Sequence, residues 1–473
     1  MSEPKKLILN LFEMNTVSHI SHGLWSLPGN NRHRFNELEY WTELAQILES
    51  GGFHGVFLAD VVGAYDTFRD GPETAIREGL QIPSNDPLLV IPAMAAVTKR
   101  LGFGATFSTS YEPPFTFARR ASTLDHLTKG RFGWNIVTSY LPNAARNFGL
   151  DGEIPHDRRY EIADEFLDVV YKLWEGSWDD DAVVIDRERH VYTDPAKVRY
   201  IDHVGEHYRV AGPHLAQPSP QRTPVLYQAT GSPAGTEFAG RHAELVFTGG
   251  RTTADFHRNV ASMTAAAERH GRSRDDIRFI VQAGVVVGRD DEEAADKWRT
   301  FQSNLSVDGI LAHGGARLDL TAHPRHVTVA EAVAKAGLEP QDVPFLPLHK
   351  TVGEALDGLR SSREGRFFVA GSPTTVADQI EKWLDEDGVD GINLRQYHSF
   401  GTAQDFTELV VPELRRRGRL EPAGGEPTTL RDALFGRGDR LPSTHIATRY
   451  RGGANLDVPV APLRFADHDQ RAA

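Results

Sequence analysis

Eight times along this chain a short apolar run alternates with a segment of helical spacing, and that rhythm constrains the fold more than any other feature. The runs are 7–12 (LILNLF), 55–60 (GVFLAD), 101–109 (LGFGATFST), 131–137 (RFGWNIV), 224–229 (PVLYQA), 245–248 (LVFT), 278–287 (RFIVQAGVVV) and 389–394 (VDGINL). Helical patterns are expected at 38–50, 86–100, 115–129, 160–174, from Pro233, and at 253–270, 291–305, 376–385 and 403–416. Strands buried on both faces read as continuous apolar runs, and strand–helix alternation calls for parallel strands joined by crossover helices. Eight such units close best into a (β/α)8 TIM barrel, with an open doubly wound sheet as the runner-up. The expected organisation is one barrel domain over 1–418, with insertions at 176–223 and 306–371 where Asp, His, Gly and Pro break the rhythm. An irregular tail over 419–473 follows, suited to wrapping a partner subunit.

Composition narrows the chemistry. The 473 residues include 52 basic and 65 acidic side chains, a net charge of −13 that repels phosphate backbones and argues against nucleic-acid binding. There is no cysteine, so disulfides, thiolate metal sites and a cysteine nucleophile are out of the question. No apolar stretch approaches the ~20 residues of a membrane span. The apolar run of MSEPKKLILNLFEM is broken by Asn10 and Glu13, which is unlike a secretory leader, and a cytoplasmic protein is expected. There is no P-loop, no G-x-S-x-G and no H-E-x-x-H.

In a parallel barrel, ligands bind where the strands end. Asp60 ends the second run, where it can accept from a ligand's N–H groups or serve as a helix cap. Thr106, Ser108 and Thr109 end the third, where small hydroxyl residues let a flat ligand approach or bond to neighbouring loops. Asn135, in GWNIVTS, offers a donor and an acceptor to an imide edge, or a bond to backbone. His156 and Tyr160 stand four apart at a helix start, a place that suits a phosphate or a solvated polar cap. Ser232, in QATGSPAG, reads as an N-cap, a phosphate contact or both. His19 and His22 are three apart, without the third ligand a metal would need, and no metal is expected. His313, in AHGGARLDL, falls in the second insertion, where a histidine is a surface residue or a catalyst.

Taken together, FLADVVGAYD, ARRASTLDHLTKGRFGWNIVTSYLPNAARNFGL, HDRRYEIADEFLDVVYKLWEGSW and SPQRTPVLYQATGS resemble the bacterial-luciferase-like flavin monooxygenases. The likeness is to the branch of nitrilotriacetate, dibenzothiophene-sulfone and dimethylsulfide monooxygenases. It runs from Leu7 to about Gly250 and is thinner beyond, though HGGARLDL and VDGINL still fit. It implies a barrel that binds FMN, with Asp60, Thr106, Asn135, His156, Tyr160 and Ser232 at flavin-contacting positions and the last three at the phosphate. One departure is Thr230, where the family pattern QAG-x-S has glycine. The resemblance further implies a two-component system: a separate NAD(P)H-dependent reductase supplies reduced FMN, and O2 adds to it as a flavin peroxide that oxidises a small organic substrate. C–S bond oxidation leads. Riboflavin cleavage to lumichrome and flavin binding without turnover are the alternatives. His19, His22 and His313 are the expected catalytic residues, and Phe12, Trp25 and Phe53 the expected dry wall. Relatives form dimers or tetramers, so a homo-oligomer is expected.

Overall fold

Each of the eight apolar runs is a strand, and the strands close on themselves. The structure, a computed structural model, describes residues 4–465 apart from 344, 345, 362, 363 and 423. The barrel strands are β1 (Ile8–Met14), β2 (Gly55–Ala59), β3 (Gly102–Ser108), β4 (Phe132–Val137), β5 (Val225–Ala229), β6 (Leu245–Phe247), β7 (Arg278–Val287) and β8 (Gly391–Arg395). All neighbours are parallel. Closure is made by β8, which pairs with β7 on one side and β1 on the other, with Asn10 opposite Asn393. An open doubly wound sheet has two free edges, so this pairing excludes it. A further short strand, Phe368–Gly371, extends the sheet along the far half of β7.

Glycines decide how the lumen fills. A Cβ on Gly133 would lie 2.4 Å from the Tyr227 ring, and one on Gly102 would lie 2.5 Å from Leu430. Their absence admits two large side chains from opposite directions. Tyr227 packs with Phe57 and Phe247 at ring-centroid distances of 6.0 and 5.9 Å. Leu430 comes from the C-terminal stretch, whose short helix Leu430–Phe435 corks the N-terminal end of the barrel. Arg431 beside it is buried and pairs with buried Glu244 at 2.7 Å. The stretch after residue 419 therefore packs on its own barrel, while residues 466–473 lie outside the described residues.

One expected helix is shorter than its pattern. The segment 86–100 is a turn, Pro87–Leu89, capped by Asp86, and then a helix of six residues, Ile91–Ala96. Pro92 lacks an N–H and so belongs in a first turn, which restarts the helix there. The first insertion holds two antiparallel ribbons, Val183–Asp186 with Val191–Thr193 and His203–Val204 with Arg209–Val210. The second has helices Val307–His313, Val329–Lys335 and Val352–Ser361. Their apolar faces (Leu311, Val333, Val352) share a cluster with Tyr65, Phe68 and Leu141 from the loops after β2 and β4. This second core is a cap on the C-terminal mouth of the barrel. Among the described residues, no helix is long and apolar enough to cross a membrane.

Candidate active site

At the mouth, β3 and β4 bring two expected residues into contact. Thr106 and Asn135 are directly opposite in register, and the Asn135 amide donates to the Thr106 hydroxyl at 2.9 Å. Both are almost fully buried, and Asn135 Oδ1 has no hydrogen-bond partner. An orphaned buried acceptor is costly and points to a missing donor. Asp60, just past β2, lines a cleft of about 530 Å3 together with Thr106, Ser108, Asp86, Tyr111 and Phe148. Burial, with Asp86 adding to it against the backbone N–H of Val61, pushes the Asp60 carboxyl up to about 8. Tyr111 and Phe148 stack at 4.4 Å in that wall.

His156, Tyr160 and Ser232 form a second group, which does not line the cleft. His156 opens the helix His156–Tyr171, and its ring lies 5.3 Å from that of Tyr160 one turn on. Its Nδ1 is 2.6 Å from Asp157, leaving Nε2 as the ring's other polar edge. Ser232 caps the ten-residue helix Pro233–His242, accepting from Gly235 N at 3.1 Å, so its O–H remains available to donate. A Cβ on Gly235 would be 2.7 Å from the Tyr160 hydroxyl and closer still to Thr230 Oγ1. Gly235 thus makes room for both. The departure at Thr230 is accommodated by the bare backbone of a glycine five residues later.

The two groups are joined through Ser139, which has a left-handed φ of 59° after β4. Its hydroxyl meets Ser108 at 2.8 Å, and its carbonyl accepts from Arg159 at 2.8 Å. Arg159 is the residue that sequence reasoning missed here. It is nearly buried, paired with Glu153 at 3.2 Å, and its Nε is without a partner. Within HDRRY it is the buried one of two arginines, since Arg158 faces solvent and pairs with Glu161.

The three histidines come from the loop after β1 and from the cap. His22 is fully buried, and its Nε2 lies 2.9 Å from His313 Nδ1. On the far side, His22 Nδ1 meets Ser18 Oγ at 3.0 Å. Gln81 has its amide nitrogen 3.4 Å from both the His19 carbonyl and His313 Nε2, and its Oε1 accepts from the Tyr65 hydroxyl. One tautomer set satisfies the chain. Gln81 donates to His313 Nε2, His313 Nδ1–H donates to His22 Nε2, and His22 Nδ1–H donates to Ser18. Burial pushes the Tyr65 and Tyr140 phenols up, so both keep their protons while their hydroxyls share a hydrogen bond. His19 packs its ring 4.4 Å from Phe12. The base of this loop is fixed by buried Glu13, which pairs with Arg32 and accepts from Gln396.

The expected dry wall is only partly assembled. Phe12 is at the mouth, stacked 5.7 Å from Phe57. Trp25 is 38% exposed and donates to the Glu78 carbonyl. Phe53 precedes β2, at the opposite end of the barrel, and packs on Phe406. It is at the wrong end of its strand to meet a ligand.

A closed parallel barrel with a helix-start donor group, an unsatisfied amide at its mouth and a capping insertion is an α/β barrel arranged to hold a ligand where its strands end. Residues 14–391 match the luciferase-like monooxygenase family, and the chain belongs to that family, a flavin-dependent monooxygenase. It is 50% identical over 452 residues to the long-chain alkane monooxygenase of Geobacillus thermodenitrificans, covering 94% of this chain and 98% of that one. It is 44% identical over 474 residues to the dimethyl-sulfide monooxygenase of Hyphomicrobium sulfonivorans, covering 98% and 97%. Among solved structures, a riboflavin lyase holding modified FMN and riboflavin superposes with a TM-score of 0.84 at 36% identity, covering 94% of this chain and 100% of that one.

Proposed function

We propose that the protein is the oxygenase of a two-component system, taking reduced FMN from a separate NAD(P)H-dependent reductase and oxidising a small uncharged organic molecule with O2. The observation that supports it most is the orphaned Oδ1 of Asn135, in the same mouth as three hydroxyl and imidazole donors at helix starts. The donor chemistry fits a flavin mononucleotide. Asp60, Thr106 and Asn135 would hold the edge of its ring system, and His156, Tyr160 and Ser232 its phosphate, with Arg159 close behind. FMN supplies, when bound and reduced, the two electrons that activate O2. The chain supplies the rest. His22 and His313 share a proton at the substrate side, Gln81 and Tyr65 fix their tautomers, and the cap excludes water.

The substrate reading follows from charge. Among the described residues that line the cleft, the one cation is Arg120, which is paired with Glu112 at 3.3 Å. Arg395, near His19, donates to Gln282 and Tyr397. Neither is at liberty to grip a carboxylate, which favours an apolar substrate such as an alkyl sulfide or an alkane, with C–S or C–H oxidation. A second reading, cleavage of the ribityl chain of riboflavin, is favoured by the flat Tyr111–Phe148 pair in the cleft wall. A screen with reductase, FMN and O2 against dimethyl sulfide, n-alkanes and riboflavin tests all three. Substrate-dependent O2 uptake giving aldehyde or alcohol is expected. Lumichrome would move the case to the second reading, and no oxidation of any by flavin-loaded protein would count against both.

Asp60 gives this reading a pH signature. With its carboxyl neutral up to about pH 8, the group that accepts a ring N–H must first lose its proton. Affinity for oxidised FMN is therefore expected to rise with pH toward 8, by at most about tenfold per unit, and to level off above. Flavin fluorescence titrations at several pH values measure this, and Asp60→Asn should flatten the curve.

A further inference from the structure

Besides the apolar cluster and the His22–His313 contact, two arginines that follow β2 clasp the cap: Arg77 meets Asp308 at 2.8 Å, and Arg69 makes the larger set of bonds. Arg69, in the loop after β2, bonds both oxygens of Asp308 at 3.1 and 3.2 Å, Asp319 Oδ2 at 2.7 Å and Thr321 Oγ1 at 2.9 Å. All three partners belong to the cap. Asp308 lies in the first turn of Val307–His313, the helix that ends in His313, and Asp319 caps the turn Leu320–Ala322. Burial works to raise the Asp319 carboxyl, yet the bonds from Arg69 and Thr321 hold it below its usual range.

The loop that presents Arg69 is shaped for the purpose. Arg69 and Asp70 both have left-handed backbone, at φ 59° and 55°, a conformation that residues with a Cβ keep only where their surroundings enforce it. Its neighbours serve the same end. Phe68 is buried in the cap's apolar cluster beneath the guanidinium, whose carbon is 4.6 Å from the ring centroid. Tyr65 places its ring 5.0 Å from that of His313. Asp60, at the start of the same loop, lines the cleft. One ten-residue span thus touches the cofactor side, the proton-sharing histidine and the acidic residues of the cap.

We propose that Arg69 is the latch of the cap, a positioning residue that through Asp308 and Asp319 holds the His313 helix against His22 and keeps water from the mouth during oxygen chemistry. This rests on the oxygenase reading only for its second half, since the clasp itself requires no flavin. Without the latch, Asp308 keeps only Arg77 and Asp319 loses its ion pair, so the helix lifts more readily. The flavin would then be reoxidised without oxygenating substrate, FMNH2 + O2 → FMN + H2O2, its own two hydrogens leaving with the two electrons.

The test uses the full-length protein. In Arg69→Met, amide hydrogen exchange over 307–316 should quicken at least about tenfold while barrel strands exchange as in the wild type. Peroxide released per FMN reoxidised, with dimethyl sulfide or an n-alkane present, should rise, and affinity for oxidised FMN should stay near its wild-type value. Arg69→Lys should restore both readings in part, because an ammonium keeps the charge but not the fork of bonds. If Arg69→Met does not fold, Asp308→Ala combined with Asp319→Ala removes both carboxylate partners of Arg69 from the cap side. Wild-type exchange in the folded variant, or faster exchange with unchanged peroxide yield, overturns the proposal. A wild-type protein that binds no flavin would sink the oxygenase reading instead, and the exchange measurement would still decide the clasp.

Discussion

His313→Ala is expected to lower turnover by about 10²–10⁴-fold, the range of a lost general acid–base group, and to leave the affinity for oxidised FMN nearly intact. The separation follows from where the residue comes from. His313 is carried by the cap, whereas the flavin-side candidates Asp60, Thr106, Asn135, His156, Tyr160 and Ser232 lie within barrel strands, just after them or near the start of barrel helices. Its loss breaks the chain from Gln81 to Ser18 at the centre and leaves His22 Nε2 buried without its 2.9 Å partner. The imidazole pair can no longer pass a proton between barrel and cap. His313→Gln retains one donor and should fall between wild type and alanine. Steady-state turnover together with an equilibrium flavin titration checks both halves. A variant that binds flavin poorly but turns over normally once loaded would place His313 on the cofactor instead.

The barrel was legible because each strand is short, apolar and followed by a helix pattern, and the pairing of β8 with both β1 and β7 adds only the proof of closure. The missed features depend on distance in sequence. Leu430 reaches the lumen only because Gly102 and Gly133 lack side chains some 300 residues earlier, and no local pattern links them. The helix expected over 86–100 is cut short because Pro92, whose missing N–H suits a first turn, restarts it. Among the site residues, HDRRY announced its helix start through spacing alone. By contrast, His22 and His313 are 291 residues apart and were named for their chemistry, not for each other. Gln81 and Ser139 carry no such mark, since their roles come from left-handed backbone at φ 51° and 59° that places them between two loops.

Tyr160→Phe is expected to weaken FMN about 10- to 100-fold and riboflavin hardly at all, the cost of one hydrogen bond to a charged group. The two ligands differ only by the phosphate, so their ratio isolates that end of the site. Of the three donors, Tyr160 gives the cleanest reading. Its ring is packed 5.5 Å from Phe238 and 5.3 Å from His156, and phenylalanine keeps both contacts while removing only the hydroxyl that lies against Gly235. Ser232→Ala would also strip the helix of its cap, with a stability loss of roughly 0.5–2 kcal/mol that must be subtracted by a melting experiment. His156→Ala should cost less, because a half-exposed side chain is screened by solvent, and its effect should shrink as salt is raised. Isothermal titration of each variant with FMN and with riboflavin supplies the ratios. A double variant, Tyr160→Phe with His156→Ala, should lose more than either alone but less than the sum if both hold the same dianion, since one remaining donor can shift toward the charge. Equal losses for FMN and riboflavin in all three would mean that these side chains shape the helix junction and not a phosphate site.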